Sequence, residues 1–378
     1  MKRILLSAHI VIIVLLLTAC GGGSKTSSFQ QEGDTLAFRY ASNLMLIETE
    51  EYTQAQLRNP WDTTKILANY ILVNKEKPLP SELPQGTVVR VPLSRMIIYT
   101  TVHCSLMDDL NAVDRIAGVC EMDYIKTPSV VQGNKEGRII DVGSGMNPDI
   151  EKIINLDPDA LFISPFENSG GFGKVEKLGL PIIQCADYME TSPLGRAEWM
   201  RFFGRLIGKS AKADSLFLAV EQDYKELQKK AVASNERPTL LSELKNGSAW
   251  YVPGGNSYVG KLYNDAGGDY QFNYLSQSGS VPLSFEAVFE KAQHADFWFI
   301  KYNQPIDKTY RELKKDFALN ARFKAFEKKQ IYGCNTHYAN YYEDLPFHPD
   351  RVLKDLVKIL HPTLFPEYEL KYFKPLAD

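Results

Sequence analysis

Gly143-Ser144-Gly145-Met146-Asn147-Pro148-Asp149-Ile150-Glu151-Lys152-Ile153-Ile154-Asn155-Leu156-Asp157-Pro158-Asp159-Ala160-Leu161-Phe162-Ile163 reads as a turn, a helix and a buried strand in immediate succession. Two glycines within three residues favour a tight turn. Asn147 is expected to cap the helix, with Pro148 in its first turn, where a proline forfeits no hydrogen bond. Ile150, Ile153, Ile154 and Leu156 include the three-to-four spacing of a single apolar stripe. Asp157-Pro158-Asp159 stops the helix. The four apolar residues at 160–163 then make a strand buried on both faces. Helix and buried strand joined by a short turn is the unit of an open, largely parallel α/β sheet.

The same rhythm extends in both directions. Upstream lie an apolar strand at 96–99, a polar turn at 100–103, a helical stretch near 106–110 and a strand at 115–119. Downstream come a short helix at 175–178 and a strand at 181–183. After Arg237-Pro238 the pattern resumes with strands at 239–242 and 248–252 and a loop at 253–256. A helix capped by Ser284 carries Phe285, Val288, Phe289 and Ala292. Strands at 297–300 and 330–332 and a terminal helix at 349–360 follow. Between them, Trp199, Phe202, Phe203, Leu206, Ile207, Leu216, Phe217, Val220, Tyr224 and Leu227 recur at helical spacing. They predict one long helix or two collinear ones, with Gly208 as the place of a kink. The halves echo each other: Glu151 opens a helix feeding the strand at 160–163, and Glu286 opens one feeding the strand at 297–300. The expected fold is therefore α/β: two Rossmann-like lobes (36–192 and 237–378), joined by a single long α-helix (193–236), with a ligand cleft between them. Residues 36–92 are β-rich, broken by Pro78, Pro80 and Pro84, and are read as part of the first lobe.

The chain opens on Lys2 and Arg3, followed by a run at 4–17 that is apolar except for Ser7 and His9. At about 1.5 Å per residue this run is too short for roughly 30 Å of hydrocarbon, and it reads as an export signal over 1–19. Leu17-Thr18-Ala19-Cys20 resembles the cleavage box of bacterial lipoproteins. That resemblance implies acylation of Cys20, a Gly/Ser-rich tether over 20–35 and a periplasmic, membrane-anchored location. A net charge of −3 gives no pull toward nucleic acid or anionic surfaces. Cys104, Cys120, Cys185 and Cys334 allow three disulfide pairings or four free thiols. No CxxC or Cys/His spacing suits zinc.

Several segments, in this order, resemble one family: the periplasmic binding proteins for vitamin B12, haem and iron–siderophores. They are Arg95-Met96-Ile97-Ile98 with residues 114–119, the 143–159 stretch, and Ser284-Phe285-Glu286-Ala287-Val288. The ending His348-Pro349-Asp350, His361-Pro362 and Leu364-Phe365-Pro366 completes the set, so that the likeness spans about residues 93–375. The resemblance implies a stiff monomer without a cofactor of its own. It captures a bulky metal chelate (an iron–siderophore, haem or cobalamin) and delivers it to the permease subunits of an ABC importer. It further implies that Glu151 and Glu286, one per lobe, pair with arginines of that permease. A carboxylate in a first helical turn is also favoured by the helix dipole alone.

Ligand contacts are expected beyond the carboxyl ends of the strands. The candidates from the first lobe are Thr101, His103, Ser144, Met146, Phe166 and Tyr188. From the second come Trp250, Tyr251, Tyr302 and Tyr341. Aromatic faces suit a flat chelate because they offer contact area at little rotamer cost. His103 and His337 stand in rim loops as optional iron or cobalt ligands, whereas His294, His348 and His361 read as structural. Lys174, Arg196, Lys261 and Lys301 are the cations available to an anionic ligand, and Arg196 with Glu198 reads equally as a helix-terminus pair. No GxSxG elbow, HExxH, phosphate loop or GxGxxG is present, so a non-enzymatic binding protein is expected. The alternatives are a lipid-anchored chelate-processing enzyme on the same sheet and a surface glycan-binding lipoprotein, whose helical repeats are missing.

Overall fold

A computed structural model describes residues 34–36, 38–167 and 171–378. Cys20, the export signal and most of the tether lie outside them. The described chain begins with strands β1 (Asp34–Leu36), β2 (Leu44–Glu48), β3 (Thr53–Arg58), β4 (Ile66–Asn74) and β5 (Thr87–Val91), paired in that order. The first four form an antiparallel meander, and β5 joins β4 in parallel after the proline-rich crossover. Leu44, Leu46, Ala55, Leu57, Tyr70, Leu72 and Val89 alternate onto one face and enter the main core. Residues 36–92 thus form a sheet of their own, packed beside the first lobe, where the sequence reading had merged them into it.

The first lobe runs β6 (Met96–Ile98), α1 (Thr101–Asp109), β7 (Ile116–Val119), α2 (Pro128–Lys135), β8 (Ile140–Asp141), the small hairpin β9 (Gly143–Ser144) and β10 (Asn147–Pro148), α3 (Ile150–Leu156), β11 (Ala160–Ile163) and β12 (Ile182–Gln184). Its sheet is parallel throughout, in the order β12-β11-β6-β7-β8. Helices α4 (Pro193–Glu198), α5 (Met200–Leu206) and α6 (Ser210–Val232) lead to the second lobe. There follow β13 (Thr239–Ser242), β14 (Lys245–Asn246), β15 (Ala249–Pro253), α7 (Tyr258–Asp265), β16 (Asp269–Tyr270), β17 (Ser280–Leu283), α8 (Phe285–Ala292), β18 (Phe297–Tyr302), α9 (Tyr310–Asp316), α10 (Lys324–Glu327), β19 (Ile331–Asn335), α11 (Tyr341–Asp344), α12 (Pro349–Leu360) and β20 (Lys374–Pro375). Strands β16-β13-β18-β19 are parallel and β20 closes that sheet antiparallel; β14, β15 and β17 form a separate antiparallel sheet.

The echo between halves has a structural counterpart. Asp159, just before β11, accepts hydrogen bonds from the Ser94 and Arg95 amides at 2.6 and 3.0 Å, fixing the entry to the neighbouring strand β6. Asp296, just before β18, accepts from the Thr239 amide at 2.9 Å and its hydroxyl at 2.7 Å, fixing the start of β13.

Two local expectations change. Helix α3 is capped by Asp149, whose carboxylate accepts from the Lys152 amide at 3.0 Å. Asn147-Pro148 stays extended because it pairs with Gly143-Ser144; Asp serves an N-cap as well as Asn. The linking segment is also divided into three helices. Gly208 adopts φ +64°, which ends the helical path ahead of α6, and α5 then packs tightly on α6: a Cβ on Gly204 would lie 2.4 Å from that of Ala213. The long helix is α6 alone, 23 residues or about 35 Å.

The N-terminal sheet is fastened to this linker by buried carboxylates. Glu198 accepts from the amides of Arg39, Tyr40 and Ala41 at 3.1, 2.8 and 2.9 Å. Glu190 accepts from Ser42 and Asn43 amides at 3.0 and 2.9 Å and from the Trp199 indole at 3.0 Å. Tyr70 caps the edge strand β12: its hydroxyl donates to the Ile182 carbonyl and accepts from the Gln184 amide, both at 2.8 Å.

Candidate functional site

The carboxyl ends of β6, β7, β8 and β11 converge on one edge of the first lobe, where an α/β sheet offers its loops to a ligand. A cavity of about 620 Å³ opens there. Tyr99, just after β6, forms one wall; Gly145, Met146 and Pro148 of the hairpin, Ile163 at the end of β11, and Phe166, Phe172 and Lys174 form much of the rest. Most of the lining is apolar. Tyr99 is 8% exposed, and its hydroxyl has no hydrogen-bond partner. Burial pushes that phenol well above its ordinary range, so it stays protonated and is a donor as well as an acceptor.

The hairpin is held by Glu121, which follows β7 in a left-handed conformation, φ +56°. Its carboxylate accepts from the Ser144 hydroxyl at 3.0 Å and the Gly145 amide at 2.9 Å. Tyr188 braces the opposite loop by donating to the Pro165 carbonyl at 2.5 Å. Of the first-lobe candidates, Met146 (87% exposed) and Phe166 (60% exposed) therefore line the cavity, while Ser144 and Tyr188 shape its walls. Thr101 lies half-buried in the first turn of α1.

His103 is a correction. It is 2% exposed, and its Nε2 lies 3.1 Å from Asp187, whose other oxygen accepts from Arg196 at 3.1 Å. Thr100 holds Nδ1 at 2.5 Å. Both ring nitrogens are engaged, so the imidazole is a core polar group and not a ligand contact. Burial drives the Asp187 carboxyl upward, but His103 and Arg196 together outweigh it and leave the group below the ordinary carboxylate range. Arg196 pairs with Asp187 and stacks on Tyr258 at 5.2 Å, leaving Glu198 to the N-terminal sheet.

Two second-lobe candidates are also corrected. Trp250 is fully buried, donates its indole N–H to the Ser242 carbonyl at 3.1 Å and packs on Trp298 and Phe323. Alternation along β15 turns it inward and leaves the neighbouring Tyr251 49% exposed. Tyr341 is 2% exposed, wedged between Tyr372 and Phe373 beneath Lys301. Tyr302 is half-buried and its hydroxyl accepts from the Lys308 amide at 3.0 Å. The first-lobe cavity takes none of these four into its lining.

The lobes touch beside this edge. Lys126 donates to the Thr336 carbonyl, Asp109 meets His348 at 2.9 Å, and Phe347 packs edge-on to His103. Tyr124 (67% exposed) lies in the connection after β7, and Tyr342 (51% exposed) lies in α11, the helix after β19. Sequence reading passed over Tyr99 and Tyr124 as site residues; their position after apolar strands was the available signal. The four cysteines are buried and unbridged, and burial pushes Cys104, Cys120 and Cys334 up to about 12.

Glu151 and Glu286 occupy the same place in the two lobes, the second residue of helices α3 and α8, and both are exposed. Asp149 caps the first helix; Ser284 caps the second by accepting from the Ala287 amide at 3.2 Å.

The family model described as periplasmic binding protein matches residues 97–338. An uncharacterized lipoprotein of Methanocaldococcus jannaschii is 29% identical over 363 residues, covering 90% of this chain and 85% of the relative. The periplasmic haem-binding protein of Vibrio cholerae superposes with a TM-score of 0.57 at 17% identity, over 71% of this chain and 99% of that one. The vitamin B12-binding protein of the same organism superposes at 0.52 and 16% identity, over 73% and 99%. The matched family and these structures are solute-binding proteins rather than enzymes.

Proposed function

Because this chain belongs to the periplasmic binding protein family, we propose that it captures a metal chelate, an iron–siderophore, haem or cobalamin, and hands it to the permease of an ABC importer while tethered to a membrane through Cys20. The observation that carries this reading is the apolar cavity at the carboxyl ends of the first-lobe strands, with an unpartnered buried hydroxyl in its wall. Its 620 Å³ accepts part of a bulky ring or chelate rather than the whole of one. The loops after β13, β18 and β19 then supply the opposing surface. The haem-binding and vitamin B12-binding proteins that share the fold support this ligand class. The M. jannaschii relative, named a lipoprotein, supports the anchor. The two exposed first-turn glutamates give each lobe a negative point with which to dock arginines, fixing orientation as well as attraction.

Native mass spectrometry and visible absorption of the purified protein mixed with haem, cobalamin and ferric siderophores test the reading. A 1:1 complex with at least one of them is expected. Failure of all of them to bind, or their chemical conversion, overturns it.

A further inference from the structure

Two cations near the ligand-facing edge, Lys301 and Arg196, are already matched by carboxylates within the protein. Lys301, with 9% of its side chain exposed, pairs with Glu243 and lies over Tyr341. Arg196 is spent on Asp187 and Tyr258. Lys126 donates to the Thr336 carbonyl. Two carboxylates bond to the cavity wall, Glu121 to the Ser144 hydroxyl and Gly145 amide and Glu176 to the Phe172 amide, and neither faces a cation there. Among the described residues lining the cavity, Lys174 is the one cation; it is exposed and joins none of the ion pairs.

Resting on the chelate-binding reading above, we infer that the ligand carries at most one net negative charge and presents a broad apolar face, as a corrinoid or a ferric tris-hydroxamate does, and that the Tyr99 hydroxyl meets one of its polar atoms. A trianionic ferric tris-catecholate would bring two charges for which the cavity has no counter-charge. Removing an ion from water without a partner is strongly unfavourable. Breaking Lys301–Glu243 or Arg196–Asp187 to supply one would strand a carboxylate instead. The apolar walls set by Met146, Phe166 and Phe172 reward contact area in the ligand. The Tyr99 hydroxyl, shut off from water and unbonded, gains its first partner when such a ligand enters.

The test uses the folded, full mature chain titrated with cyanocobalamin, a neutral ferric tris-hydroxamate and a ferric tris-catecholate, followed by intrinsic fluorescence and calorimetry. At least one of the first two is expected to bind at least about tenfold tighter than the tris-catecholate. Tyr99→Phe is expected to weaken that binding about 3- to 10-fold, the worth of one hydrogen bond. It should leave the unliganded melting temperature unchanged or higher, because it deletes an unsatisfied group. Tris-catecholate binding as tightly as the neutral chelates overturns the charge inference and leaves the chelate-binding function standing. No binding by any of the three overturns the charge inference, and no binding by haem as well overturns the chelate-binding function. Unaltered affinity in Tyr99→Phe removes Tyr99 from the site.

Discussion

Replacing Glu198 by alanine should loosen the N-terminal sheet from the rest of the protein. The side chain is fully buried, and its carboxylate gathers three consecutive backbone N–H groups, those of Arg39, Tyr40 and Ala41, within 3.1 Å. Alanine leaves those donors without an acceptor, at about 1–3 kcal/mol for each that water cannot reach. Arg39 is half-exposed, with 52% of its side chain accessible, so its amide is the one water reaches first. The other two set a loss of about 3–5 kcal/mol, the range for removing one partner of a buried charged contact. At roughly 2 °C per kcal/mol for a body of this size, the melting temperature should fall by about 6–10 °C. Scanning calorimetry reads that shift, and limited proteolysis should place the first new cleavage near residues 38–43. Glu198→Gln keeps one carbonyl oxygen as acceptor and should lose about half as much. A fall under about 2 °C for alanine, or equal falls for alanine and glutamine, would refute the hydrogen-bond reasoning.

Asp187 has a folded-state pKa below its unfolded value. Its contribution to stability is therefore complete above the unfolded value near 4 and is lost as pH falls from there through the folded value. Asp187→Asn should lower stability at neutral pH and flatten the acid limb of the stability–pH curve; an acid limb as steep as in the parent would contradict the assignment. Glu151→Ala combined with Glu286→Ala should leave chelate affinity within about twofold while abolishing uptake in cells, because both carboxylates are exposed and clear of the cavity lining. Loss of chelate binding in the purified double variant would sink the docking role.

Much of the site was legible as positions and little of it as contacts. The turns at 143–146 and 164–173 are assigned to the ligand edge from the sequence, and Met146 and Phe166 line the cavity. His103, in the first turn of α1, and Trp250, within β15, are each consumed instead by partners distant in sequence. Asp187 lies 84 residues from His103. Trp250 is covered by Trp298 and Phe323, contributed by β18 and the turn before α10. Sequence spacing gives a residue's face, not the neighbour that covers it. The N-terminal sheet was hidden for a similar reason: its strands were visible as β-rich runs, but their separation from the first-lobe sheet rests on pairings such as β4 with β5.

Local chemistry alone prescribed the alternation of buried strands and amphipathic helices, the parallel sheets and the matched glutamates at the starts of α3 and α8. Those features depend on a period of two or 3.6 residues, on capping and on the reach of a single turn, all complete within a short segment. The fastening of residues 39–43 by Glu190 and Glu198, the covering of His103 by Asp187 and the pairing of Lys301 with Glu243 came from the folded chain. Each of these joins groups that are remote along the sequence, and their energies depend on burial that exists only once the lobes and the extra sheet have packed together.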